Sequence, residues 1–77
     1  MNKIAEKFEQ VRDVIRSIRK MKNEKKLQGI VPVILQCHAV DDLAFLMSQT
    51  HIIERLSGCA LEFRLKVEQE NMEIIFK

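Results

Sequence analysis

The chain has 77 residues, 47% of them hydrophobic and 31% charged. This is one small globular domain: it buries only about 60% of the surface its unfolded chain exposes and leaves little room for a conventional enzyme's deep, walled pocket. The net charge of +2 is unevenly spread, with nine Lys/Arg against four Asp/Glu in residues 1–26 (net +5) and four against seven in residues 27–77 (net −3).

No apolar run approaches the ~20 residues needed to cross a bilayer, and the first residues lack the apolar core of a secretory leader. The expected setting is therefore cytoplasmic and not membrane-bound, with Cys37 and Cys59 as free thiols; a Cys37–Cys59 disulfide is the less favoured alternative.

Gly29, Pro32 and Gly58 are the only glycines and prolines, and they divide the chain into blocks. Ile4, Phe8, Val11, Ile15 and Ile18 recur at four- and three-residue steps, and Val14 and Met21 widen the stripe, which predicts one long basic helix over residues 2–27. Lys25 and Lys26 suit its negative C-terminal end, and Gly29 lies just past the expected stop. Residues 30–37 (Ile-Val-Pro-Val-Ile-Leu-Gln-Cys) read as a strand apolar on both faces, with Pro32 at its start or on a sheet edge. Asp41 and Asp42 open a second helix, followed by Leu43, Leu46, Met47, Thr50 and Ile53, with Gly58 as the stop. The β-branched Thr50, Ile52 and Ile53 predict a bend or break near residue 50. Leu61, Phe63, Leu65 and Val67 alternate with Glu62, Arg64 and Lys66, the pattern of a half-buried strand over residues 60–67. Glu68-Gln69-Glu70-Asn71 reads as a hairpin loop, and Met72, Ile74 and Phe76 resume the alternation.

The predicted class is α+β, a long N-terminal helix and then a β-α-β-β module over residues 30–77 with a small three-stranded mixed sheet. A right-handed crossover makes the first two strands parallel and sets the third antiparallel beside the second. The helix, ~38 Å long at ~1.5 Å per residue, exceeds the roughly 30 Å breadth of a compact domain of this size. Its start, with Ile4 and Phe8, is expected to overhang, which suggests a dimer or a piece of a larger protein.

Arg12, Arg16 and Arg19 share one helix face, extended by Lys26 and placed beside the apolar stripe. Guanidinium groups in line on a rigid rod can track phosphates; the competing reading is a solvated, salt-bridged face. No aromatic residue interleaves with the row, which argues against single-strand stacking. Cys37, His38, His51, Cys59, Asp41 and Asp42 carry metal-capable atoms but lack the close ligand pairs of a zinc site, so no metal is expected. Cys59 with His51 is the one nucleophile–base pair to name, and it is disfavoured. No glycine-rich phosphate loop is present, so no cofactor and no catalytic residue is expected. Asp41 and Asp42 suit a helix start better than acid/base work.

The run Val14-Ile15-Arg16-Ser17-Ile18-Arg19 with Lys22-Asn23-Glu24 resembles the "VIxxIRxxRxE" helix that closes the anticodon-binding bundle of valyl-tRNA synthetases. The elements after it are similar too: a strand like Val31–Gln36, an acidic-started helix like Asp41–Met47, an "IxxL" turn like Ile53–Leu56, and a "GxAxxxx…xIxLxL"-type hairpin like Gly58-Cys59-Ala60 and Met72–Phe76. The resemblance implies a small α/β module between the bundle and the C-terminal arm of an enzyme that joins valine to tRNA using ATP. It implies that Arg16 and Arg19, with Arg12 and Lys20 beside them, face the tRNA backbone; Lys26 joins these candidate RNA contacts only by its place at the end of the row. The His-Ile-Gly-His and Lys-Met-Ser-Lys-Ser adenylation signatures of this ligase class are missing, as are the family's "GLxD" and the proline after the helix. These residues alone could not aminoacylate. The expectation is thus a non-catalytic tRNA-positioning module belonging with the rest of a synthetase. The alternative is a protein–protein or homodimerisation module built on Ile4, Phe8, Val11 and Ile15.

Overall fold

A computed structural model of the chain describes residues 3–77, with side chains from Glu6 onward. The first helix, α1, runs Lys3–Glu24, shorter at its end than the expected residue 27. It stops because Lys26 takes a left-handed conformation (φ 54°), and the Leu27 N–H then reaches back to the Lys22 carbonyl at 2.9 Å. This closing turn is usually built on glycine. Lys26 therefore lies past the helix and does not extend the arginine row; Gly29 lies three residues further on.

Strand β1 is Val31–Cys37, followed by α2 (Val40–Ser48), α3 (Thr50–Ser57), β2 (Cys59–Leu65) and β3 (Glu73–Phe76). The break expected near residue 50 falls at Gln49, which caps the end of α2 and the start of α3. Gly58 ends α3 in the left-handed conformation (φ 67°), which favours glycine, and a Cβ there would lie 2.6 Å from the Lys22 ammonium nitrogen and displace the end of that side chain.

The architecture is α+β with a three-stranded mixed sheet ordered β2-β1-β3. β1 and β2 are parallel, Val31 opposite Cys59 and Cys37 opposite Leu65, as a βαβ crossover dictates. β3 does not form the expected hairpin with β2. It crosses the end of β1 and pairs antiparallel with that strand's far side, Val33 opposite Phe76 and Gln36 opposite Glu73. The reason is burial. β1 is apolar on both faces, as in a central strand, and needs a neighbour on each side. The connection from β2 also shields the buried Gln36, whose side-chain amide donates to Gln69 and Glu73. Pro32 is the second residue of this central strand, and its missing N–H falls at the end of the β1–β3 ladder, where its carbonyl accepts from Lys77.

The helices lie on one face of the sheet. Val11, Val14, Ile15 and Ile18 of α1 join Leu46 of α2, Ile53 of α3, and Val31, Val33, Leu35 and Cys37 of β1 in one core. The other face carries Ile34, almost fully buried between Glu62 and Ile75, with the Lys77–Glu62 ion pair (2.9 Å) spanning the central strand beside it. Lys77, and secondarily Arg64, hold the Glu62 carboxyl below the usual carboxylate range.

The molecule measures 36 × 26 × 19 Å, and α1 at about 33 Å nearly matches its long dimension. Phe8 is half exposed but not without a partner. Its ring meets Phe45 edge-on at 5.7 Å, and the Lys7 ammonium lies 5.4 Å from the same Phe45 ring.

Candidate functional site

The groove between α1 and α3 brings together four arginines and a lysine: Arg12, Arg16, Arg19, Lys22 and Arg55. At about 100° per residue, Arg12, Arg16 and Arg19 fall within a ~60° sector of α1, adjoining Ile15 on the rim of the buried stripe. Ile15 and Leu56 form the apolar side of a shallow depression lined by those three arginines. A second depression continues it along the same seam, between Arg19, Lys22, Asn23 and Leu27 on one bank and Arg55, Leu56, Ser57 and Gly58 on the other. The row is therefore one bank of a groove whose opposite bank carries a fourth arginine, Arg55.

Among the described residues the ion pairs are those of Glu62 with Lys77 and with Arg64, all on the far face of the sheet. Arg12, Arg16, Arg19 and Arg55 are exposed and make no ion pair among them. Glu9 and Asp13 lie beside Arg12 and Arg16 on the side away from α3, so the field of the row is strongest toward the groove. Lys20 projects about 80° from Arg12 around the helix, on the flank away from α3, and is not in the groove. Lys26 sits in the turn after the helix.

Lys22 has a different task. Its ammonium donates to the carbonyls of Gly29 (2.8 Å), Gly58 (2.9 Å) and Ser57 (3.3 Å). It ties the end of α1 to the end of α3 and so fixes the spacing of the two banks. Neither Lys22 nor Arg55 stood out in the sequence. Arg55 sits in the last turn of α3 with Leu56 next to it, and only the packing of α3 on α1 brings either to the row.

The helix stripe considered as a partner surface is mostly used within the chain: Val11 and Ile15 are buried in its own core. Phe8 remains half exposed, and the Ile4 side chain lies outside the described residues.

Cys37 and Cys59 are buried free thiols. The register sets them at opposite ends of the sheet, about six residues or roughly 20 Å apart along the strands, too far for a disulfide. His51, Glu54 and Cys59 do border one cleft. The Cys59 sulfur, however, is in hydrogen-bond contact with the Ser57 hydroxyl at 3.1 Å, and the Glu54 carboxylate is engaged by the Leu61 N–H at 2.9 Å. Burial pushes both thiols up, partly opposed at Cys59 by the Ser57 hydrogen bond. In the native chain both should react with a thiol-specific reagent roughly a hundredfold or more slowly than in denaturant, since the thiolate is the reactive form. One thiol reacting natively at the rate of a free cysteine would contradict this. No cluster of three metal-ligating residues occurs among the described residues.

Comparison with protein-family models, with curated proteins and with solved structures finds no match to this chain.

Proposed function

We propose that the chain is a non-catalytic RNA-positioning module, of the kind found beside the anticodon-binding bundle of a valine–tRNA ligase, and that the α1–α3 groove is the surface it turns to tRNA. The observation that carries this reading is the convergence of Arg12, Arg16, Arg19 and Arg55, none in an ion pair among the described residues, on one groove with an apolar side. Glu9 and Asp13 flank Arg12 and Arg16 only on the side away from α3, and no carboxylate among the described residues lines the groove itself, so on that side the guanidinium forks face an opening suited to phosphate. The acidic remainder of the chain suits contact with protein on other faces. The two other reactive groups lining the groove are engaged elsewhere, Lys22 by three backbone carbonyls and the Ser57 hydroxyl by the Ile53 carbonyl and Cys59, which favours a positioning role.

Titration of labelled tRNA at several salt concentrations tests it. Wild-type binding should weaken steeply as salt rises, because each neutralised phosphate releases condensed counterion. The triple variant Arg12→Ala/Arg16→Ala/Arg19→Ala should flatten the log–log salt slope by roughly 2–3, and Arg55→Ala by up to about 1. Lys20→Ala, on the flank, should change it little. Absence of binding at low salt, or an equal effect of Lys20→Ala and Arg16→Ala, would return the row to a solvated helix face.

A further inference from the structure

β2 is the long edge of the sheet. β3, the other edge, has only four residues, a common defence against unwanted pairing, whereas β2 runs for seven and contains no proline. The ladder with β1 fixes which backbone groups are spare. The Val31 N–H bonds to the Gly58 carbonyl and the Lys66 N–H to the Cys37 carbonyl. Even-numbered residues of this strand therefore turn their backbone groups inward to β1, and odd-numbered residues turn theirs to the free side. Glu54 satisfies one of the outward N–H groups, that of Leu61. Those of Phe63 and Leu65 have no partner among the described residues, and the end of the strand is exposed, Leu65 by 45% and Val67 just beyond it by 67%.

We infer that this edge pairs with the same edge of a second copy of the chain, antiparallel about a two-fold axis at Phe63, making a continuous six-stranded sheet. The sequence of the strand is self-complementary in that register. Phe63 faces Phe63 of the second copy, and Leu61 faces Leu65 in both directions. All of these are odd-numbered residues with outward backbone groups, so they form the hydrogen-bonded pairs. On the opposite face Glu62 lies across from Arg64 of the second copy, twice, in the closer non-hydrogen-bonded positions where opposite charges favour pairing. Neighbouring registers are penalised. An axis at Glu62 or at Arg64 sets identical charges face to face, and an axis at Leu65 sets Arg64 against Lys66 and Glu62 against Glu68. Forming the chosen register transfers the Leu61 N–H from Glu54 to the Leu65 carbonyl of the second copy. The occupant is thus another copy, selected by charge order along the strand, and the inference stands independently of the RNA reading.

Sedimentation equilibrium on the full chain, with circular dichroism to verify folding, decides the matter. The wild type should be a concentration-dependent dimer. Arg64→Glu should raise the dimer dissociation constant about tenfold or more, since two attractive cross-strand pairs become repulsive. The reciprocal variant Glu62→Arg/Arg64→Glu, combined with Lys77→Glu to keep an ion pair at position 62 within the chain, should restore it. Leu65→Pro removes an N–H that the β1 ladder does not use and should leave a folded monomer. A wild type that stays monomeric to millimolar concentration, or a dimer indifferent to Arg64→Glu and Leu65→Pro, would overturn the inference.

Discussion

Replacing Ile18 with alanine should lower the folding free energy by about 3–4 kcal/mol and the melting midpoint by roughly 15–25 °C. Ile18 is fully buried and sits where α1 meets both the sheet and α3. Truncation removes three carbons from a site that cannot collapse, because Val14 and Ile15 hold the helix at its height above the sheet. A chain of 77 residues has a total stability of about 4–11 kcal/mol, so this one change takes a large share of it. Arg16→Ala, two positions away on the exposed side, should stay within about 0.5 kcal/mol of wild type. Urea unfolding of the two variants side by side measures the difference. A loss below about 1 kcal/mol at Ile18 would mean that α1 is not docked on the sheet, and the groove would then have no fixed width.

The elements themselves were legible because each is written in a period the eye can follow. The stripe from Phe8 to Ile18 repeats as a helix, residues 60–67 alternate as a half-buried strand, and the β-branched Thr50 and Ile52 mark the division between α2 and α3. The order of the strands was misread at residues 68–71. Polar residues between two alternating runs suit a hairpin, but with its flanking residues the same run is long enough to carry the chain over β1, two strand spacings or about 9.6 Å. The decisive signal lay elsewhere, in the uninterrupted apolar run of β1. A strand with both faces apolar is central, one with a single apolar face such as β2 is an edge, and only β3 remained to cover the far side of β1.

The arginine row could be read from spacing alone, since it belongs to one helix. The opposite bank could not. Arg55 and Leu56 are ordinary residues of an amphipathic helix until α3 is packed beside α1. The turn at Lys26 was hidden for a different reason: a left-handed lysine leaves no mark in a sequence where Gly29, three residues later, looks like the natural stop. The helix therefore ends one turn early, and Lys26 leaves the row.

Lys22→Met should destabilise the chain by about 2 kcal/mol although it deletes no apolar surface. The last carbonyls of α3 have no partners within the helix and carry its negative dipole. Lys22 supplies a cation there with three donors, and its contacts to Gly29, Ser57 and Gly58 use all three. Methionine keeps most of the stem but offers no donor, so those carbonyls lose their charged partner at a partly buried junction. Arginine would not serve equally, because a planar fork cannot converge on three carbonyls as a tetrahedral ammonium can; Lys22→Arg should fall between the two. The loss should be local as well as global. The Val31 N–H, held at 3.2 Å by the Gly58 carbonyl that Lys22 also binds, should exchange with deuterium faster in Lys22→Met, while the Leu35 N–H in the middle of β1 should follow global stability alone. If Lys22→Met proves no more disruptive than Lys20→Ala, the three carbonyls are satisfied by water, and the spacing of Arg19 and Arg55 across the groove is set by the buried contacts of Ile15 and Ile18 without help from the lysine.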